Sequence, residues 1–155
     1  MSVTPQEDLW GQVDECLRSP EFLHSIVSMY AEVDAELASL STDCRACGDC
    51  CRFDTSGVRL YVTTGELAVL SRLTPPVPDA PSLGRCPYQV GDSCDARDHR
   101  PLGCRIFFCH GPPRYNMQQE YERRHEAIQR LHQTHCLPYA YVDLVDAFMQ
   151  LHSLK

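Results

Sequence analysis

Lysine is almost missing from this chain. It carries one, Lys155, against thirteen arginines, so covalent catalysis through a lysine Schiff base has almost no candidate residue. No cluster of five or more basic residues occurs and the formal charge is −7, which argues against a nucleic-acid or anionic-membrane partner. No apolar run approaches the ~18 residues of a membrane span. The GxSxG, GxxxxGK and GxGxxG patterns are absent as well, removing the commonest hydrolase and nucleotide-binding signatures. The opening residues, MSVTPQEDLWGQVDECL, show neither the basic nor the apolar region of a signal peptide and carry acids early, so a cytoplasmic protein is expected. With 155 residues, 43% hydrophobic and 23% charged, the chain reads as one soluble domain with a modest core.

Three regions follow from the patterning of this single domain, 1–155. The first, 5–41, is helical. Its main helix is predicted over about 20–41, where Ser19, Pro20 and Glu21 supply an N-cap, a first-turn proline and an early acid, and Phe22, Ile26, Tyr30, Val33, Leu37 and Leu40 make one apolar stripe. A shorter helix is expected over about 5–17. The second region, 43–111, holds most of the glycine and proline. Within it VRLYVT (58–63) alternates as a short strand, Thr63 and Glu66 fit a capping box for the helix GELAVLSRL, and TPPVPDAPSLG (74–84) is a proline-rich loop. The third, 114–152, is helical again, with Met117, Tyr121, Ile128 and Leu131 on one face, a break at Pro138, and a last amphipathic segment carrying Leu144, Val145, Phe148 and Leu151. The fold class expected is mainly α: a small helical domain around a loop-rich, metal-stapled cysteine centre, with at most one short strand pair. The middle looks too poor in apolar residues to fold by burial alone.

Cysteine is what the chain has in excess. Ten are present, and eight lie between 44 and 109: Cys44, Cys47, Cys50, Cys51, Cys86, Cys94, Cys104 and Cys109. Four fall within CRACGDCC (44–51), a density that packing does not require, since one or two buried cysteines serve as well as any small hydrophobe. Disulfides are disfavoured by the expected reducing compartment and by the adjacency of Cys50 and Cys51, whose direct bridge would be strained. In CxxC the chain turns so that both sulfurs face one metal, and a second xxC adds a third. Cys44, Cys47 and Cys50 thus form a three-point claw, the run that in iron–sulfur proteins supplies three ligands of a cubane with the fourth remote. Cys51 diverges from its neighbour and points to a second metal or to another atom of a larger cluster. Eight thiols suffice for two cubanes or two tetrahedral zincs. Cys16 and Cys136, on helical segments, read as buried structural thiols.

CRACGDCC, then GRCPYQVGDSC (84–94), then HRPLGCRIFFC (99–109), resemble in order the three blocks of the CxxCxxCC cysteine-cluster family, the YkgJ-type zinc- or iron-chelating domain to which flagellin lysine N-methylases are related. The resemblance covers about 43–111. It implies metal binding by the eight thiols and does not carry over methyl transfer. The family usually places an aromatic residue three positions after the cysteine matching Cys94, where this chain has Arg97.

Arg45, Arg52, Arg100 and Arg105 lie beside proposed ligands, where guanidinium groups can donate to sulfur and offset thiolate charge. Arg100 and Arg105 are the stronger pair, and Pro101 and Gly103 read as backbone devices presenting Cys104. His99 and His110 are alternative ligands for zinc or one iron. His125, His132 and His135 are expected to be solvated on a polar helix. No independent catalytic motif is seen, so an enzymatic role would be that of an iron–sulfur oxidoreductase or an accessory to one. The expected cofactor is one or two iron–sulfur clusters, at least one of the [4Fe–4S] type, serving electron transfer or the modification of a partner protein. The alternative is Zn2+ in a structural or interaction module with no redox role. The third claw cysteine, the adjacent fourth, the arginines and the CP dipeptide at Cys86–Pro87 favour iron. A redox or protein partner is expected in either case, with no nucleic acid and no membrane.

Overall fold

Apart from Thr64 and Glu66, the segment TGELAVL (64–70) offers no polar side chain, and a helix apolar on every side has to be enclosed. The computed structural model describes residues 8–40, 53, 57, 59–91, 93–107 and 115–153. In it α3 (Thr64–Ser71) is the central element, with every residue from Thr64 to Leu70 buried. The predicted capping box starts it: the Thr63 hydroxyl accepts from the Glu66 amide at 3.2 Å, and the Glu66 carboxylate accepts from the Thr63 amide at 2.8 Å. The region read as too poor in apolar residues therefore contributes the most enclosed helix. Its apolar residues are few but contiguous, and contiguity is what encloses a short helix.

Two N-terminal helices cover α3. In α1 (Leu9–Leu17) Leu9, Val13 and Cys16 face inward; in α2 (Pro20–Ala38) Phe22, Ile26, Tyr30 and Val33 do. Ser19 caps α2 through the Phe22 amide, with Pro20 in the first turn. The helix stops at Ala38, short of the predicted 41, and the predicted start of α1 near 5 lies outside the described residues.

Strand β1 (Tyr61–Thr63) leads into α3 and pairs antiparallel with β4 (Tyr141–Asp143), with Val62 opposite Val142. The pair is extended by Leu144 donating to the Leu60 carbonyl at 2.8 Å and by Thr64 exchanging bonds with Ala140. Val58, the predicted strand's first residue, lies outside the described residues. A second pair, β2 (Gln89–Val90) with β3 (Ser93–Cys94), makes two strand pairs where at most one was expected. The proline-rich loop over 74–84 is irregular apart from one 3-10 turn, Ala80–Leu83. The short α4 (Leu102–Ile106) packs against α2 and against α5 (Met117–Thr134), and α6 (Leu144–Ser153) ends the described chain. Among the described residues no helix is long and apolar enough to cross a membrane. The architecture is mainly α.

Three helices meet at Gly65. A Cβ there would lie 2.7 Å from both Ile26 Cδ1 and Phe22 Cζ and 3.0 Å from His132 Nε2, so only glycine permits the approach. His132 accordingly departs from the expectation of a solvated ring: it is 2% exposed and packed edge-on against Phe22 and Tyr139. Burial holds it below the usual histidine range. His125 and His135 are half-buried.

Helix α5 ends in a Schellman motif, with Leu137 donating to the His132 carbonyl at 3.0 Å and Cys136 to the Gln133 carbonyl at 3.2 Å. The residue in the left-handed position, usually glycine, is Cys136 at φ 53°. It is exposed, not buried as expected of a structural thiol. Cys136→Gly is expected to raise stability by about 1 kcal/mol, read as a higher urea midpoint with an unchanged slope.

Candidate functional site

Cys104 is carried by α4, and two buried charged side chains fix that helix. Glu66, 1% exposed, reaches beyond its capping box: its second carboxylate oxygen accepts from the Leu102 amide at 2.8 Å, at the first turn of α4. Burial raises the Glu66 carboxyl above the ordinary carboxylate range, opposed by the donors from Thr63 and Leu102. Burial and the neighbouring Glu66 also push the Tyr30 phenol up. Arg105 holds the other side of α4. Its three nitrogens donate to the Asp34 carboxylate on α2, to the Arg100 carbonyl at 2.8 Å and to the Asp98 carbonyl at 2.7 Å, and its guanidinium lies 4.3 Å from the Tyr30 ring centre.

These bonds give the RPLGCR block a structural content. The Arg105 nitrogens each engage an oxygen, which ties the residue next to Cys104 to α2 and to the stretch before α4. Arg100 donates to the Arg97 carbonyl at 3.2 Å and reaches the Cys104 carbonyl at 3.5 Å. Pro101 and Gly103 were expected to fix a turn presenting Cys104; Pro101 instead precedes the first residue of the helix that carries Cys104, and Gly103 sits inside that helix, where a Cβ would come within 2.7 Å of Leu60 Cδ1. Arg45 and Arg52 lie outside the described residues.

Cys86 is buried and is placed by a different device. Its carbonyl accepts from the Gln89 amide at 3.2 Å, the Pro87 carbonyl accepts from Val77 at 3.0 Å, and the Tyr88 hydroxyl binds the Leu73 carbonyl at 2.9 Å and the Leu70 carbonyl at 3.1 Å. The CPY stretch is thereby pinned onto the end of α3. Cys86 and Cys104, far apart in sequence, line one cavity of about 410 Å3. Its other described walls are mainly apolar or aromatic, among them Phe53, Leu60, Phe107, Tyr121 and Tyr141. Tyr121 packs against Phe107 with the rings tilted by 37° and 5.2 Å between their centres, and its hydroxyl meets that of Tyr141 at 2.6 Å. Tyr61 and Tyr141 rings are 5.6 Å apart across the strand pair. Burial drives the Tyr121 phenol far above its ordinary range.

The remaining proposed ligands divide as follows. Cys94 is half-buried opposite Gln89 in the β2–β3 pair and does not line this cavity. Cys44, Cys47, Cys50, Cys51 and Cys109 lie outside the described residues, as does His110; His99 is half-buried in a 3-10 turn. Among the described residues no group of three or more histidine, cysteine, aspartate or glutamate side chains is placed to hold a metal ion. Cys16, buried in the core, has its thiol pushed up to about 12 by burial and the adjacent Glu15, as expected of an inert structural cysteine. The anchoring role of Asp34 and the tyrosine wall carry no local sequence signal. Glu66 does, as a cap, but its bond to Leu102 does not.

No protein-family model, curated protein or solved structure matches the chain.

Proposed function

We propose that the chain is a cytoplasmic metal-binding protein holding an iron–sulfur cluster, at least one of the [4Fe–4S] type, used for electron transfer or to support modification of a partner protein. The observation that carries the reading is the sharing of one cavity by Cys86 and Cys104. Soft sulfur donors lining one cavity suit iron or zinc. The cavity also has residues of its wall at the edges of the two remaining cysteine-bearing stretches. Phe53 follows Cys51 by two positions and Phe107 precedes Cys109 by two, and two residues span at most ~7 Å. In this reading Cys51 and Cys109, each two positions from one of those wall residues, belong to the metal-binding thiols. Cys44, Cys47 and Cys50 hold one cluster in this reading with Cys86 or Cys104 as the remote fourth ligand, and Cys51, Cys94 and Cys109 complete a second site or enlarge the first.

A bound cluster would supply one-electron chemistry. The chain's own part is to present the thiols: Glu66 and Arg105 fix the Cys104 helix, Tyr88 fixes Cys86, and the aromatic wall limits water.

Metal and acid-labile sulfide content, with an absorption spectrum, tests this on protein purified without oxygen. Iron with matching sulfide is expected. Cys47→Ser and Cys104→Ser should each lose metal, while Cys16→Ser and Cys136→Ser keep it. Zinc without sulfide would replace the redox reading with that of a structural module, and a protein without metal would sink both.

A further inference from the structure

The polar groups at the cavity are unlike one another in a useful way. Among the described residues that line it, Arg59 alone carries a formal charge and no carboxylate is present. The Arg59 side chain is 69% exposed, and its contact with Asp143 is a loose 3.9 Å. The guanidinium therefore keeps donors for a ligand. Tyr121 and Tyr141 supply another. Two hydroxyls own two protons, and the 2.6 Å bond between them uses one, which leaves one O–H at the wall without an acceptor among the described residues.

Shape narrows the ligand further. A volume of about 410 Å3 lies within the range of small-molecule sites, and Phe53, Leu60 and Phe107 offer flat apolar contact. Phe107, Tyr61 and Tyr141 are each about two fifths exposed, which puts them at the mouth, where a ligand enters. Arg59, with no carboxylate among the described lining residues, disfavours an organic ammonium ligand. A nucleotide or other polyphosphate needs several cations or a glycine-rich loop, and neither is found among the described lining residues.

We propose that this cavity binds a small organic acid with a flat apolar body: the body lies against Phe53, Leu60 and Phe107, and the carboxylate meets Arg59 and the spare tyrosine O–H. The proposal goes beyond the metal reading and rests on the walls and donors alone. Should the thiols hold metal, the acid would lie in the same cavity beside it.

Calorimetry on the full chain as purified tests it, using three probes of one shape: phenylpropionate, phenylpropanol and phenylpropylamine. Metal and sulfide are measured on the same sample, so that failure of the metal reading and failure of this one are told apart. Saturable one-to-one binding of phenylpropionate is expected, about tenfold tighter than the alcohol, with the amine weakest. Arg59→Met should erase the advantage of the acid and leave the alcohol unchanged; Arg59 is exposed, so the variant folds. The double variant Tyr121→Phe with Tyr141→Phe, which removes the spare O–H altogether, should weaken the acid about fivefold. Equal binding of the amine, an acid preference that survives Arg59→Met, or no saturable binding of phenylpropionate at millimolar concentration would each overturn the proposal.

Discussion

Replacing Glu66 by alanine is expected to lower the free energy of unfolding by about 3–5 kcal/mol, a large share of the ~5–15 kcal/mol of a natural domain. The carboxylate accepts from the Thr63 amide and hydroxyl with one oxygen and from the Leu102 amide with the other. Alanine leaves both amides buried without an acceptor and opens a void beside Tyr30. Glutamine separates the parts of this loss. It keeps the volume and one carbonyl oxygen but must turn an N–H toward a donor, at a cost of about 1–3 kcal/mol. It also removes a titration. A carboxyl raised in the folded state contributes stability that is complete below its unfolded pKa and lost as pH rises through the folded one. The margin of the natural chain over Glu66→Gln should therefore be widest in acid and narrow with rising pH. Urea melts of both proteins across pH 4–8, a range of about four units set around ordinary carboxylate values, check the sign.

Arg105→Met should be nearly as costly, about 3–4 kcal/mol, with Arg105→Lys little better. The side chain is 2% exposed and its partners are not equivalent. Asp34 is half-exposed and can turn to water, whereas the carbonyls of Asp98 and Arg100 lose their guanidinium donors. One ammonium cannot serve three acceptors set for a planar fork. Asp34→Ala should therefore cost far less, about 1 kcal/mol, because it leaves two of the three bonds. Chemical denaturation of the three variants gives the ranking. An Asp34 variant as damaging as Arg105→Met would mean that the ion pair, not the carbonyl anchors, holds α4.

What was legible in the sequence was local. Ser19 with Pro20 and Thr63 with Glu66 act within a few residues and are found as read; the apolar stripe read from Phe22 to Leu40 is buried from Phe22 to Val33 and half-buried at Leu37, and Leu40 lies past the end of the helix. The failures are contacts between distant elements. His132 sits on a helix with a polar sequence, and only the missing side chain of Gly65 on another element lets the ring be buried. Strand β4 is three residues long, too short to show a period, and exists because β1 lies alongside it. In the site, the cysteines were conspicuous by spacing. Glu66, however, joins the Cys104 helix through a bond spanning 36 positions, and no local pattern records that. Cys136 looked like a core thiol because a helical segment was assigned to it; the Schellman turn places it one step beyond the helix, in solvent.

The strand pair that closes the cavity has a consequence for the order of folding. Ala140 bonds Thr64 across 76 positions, and Trp10 donates to the Ala147 carbonyl across 137. Contacts this remote close slowly, because loop entropy is lost before they reward it. Tyr141, one wall of the cavity, is also made long after Cys86 and Cys104 during synthesis. A nascent chain would therefore carry Cys86 and Cys104 without their Tyr141 wall until that residue is added. Loading of any metal or ligand would then belong to the finished polypeptide.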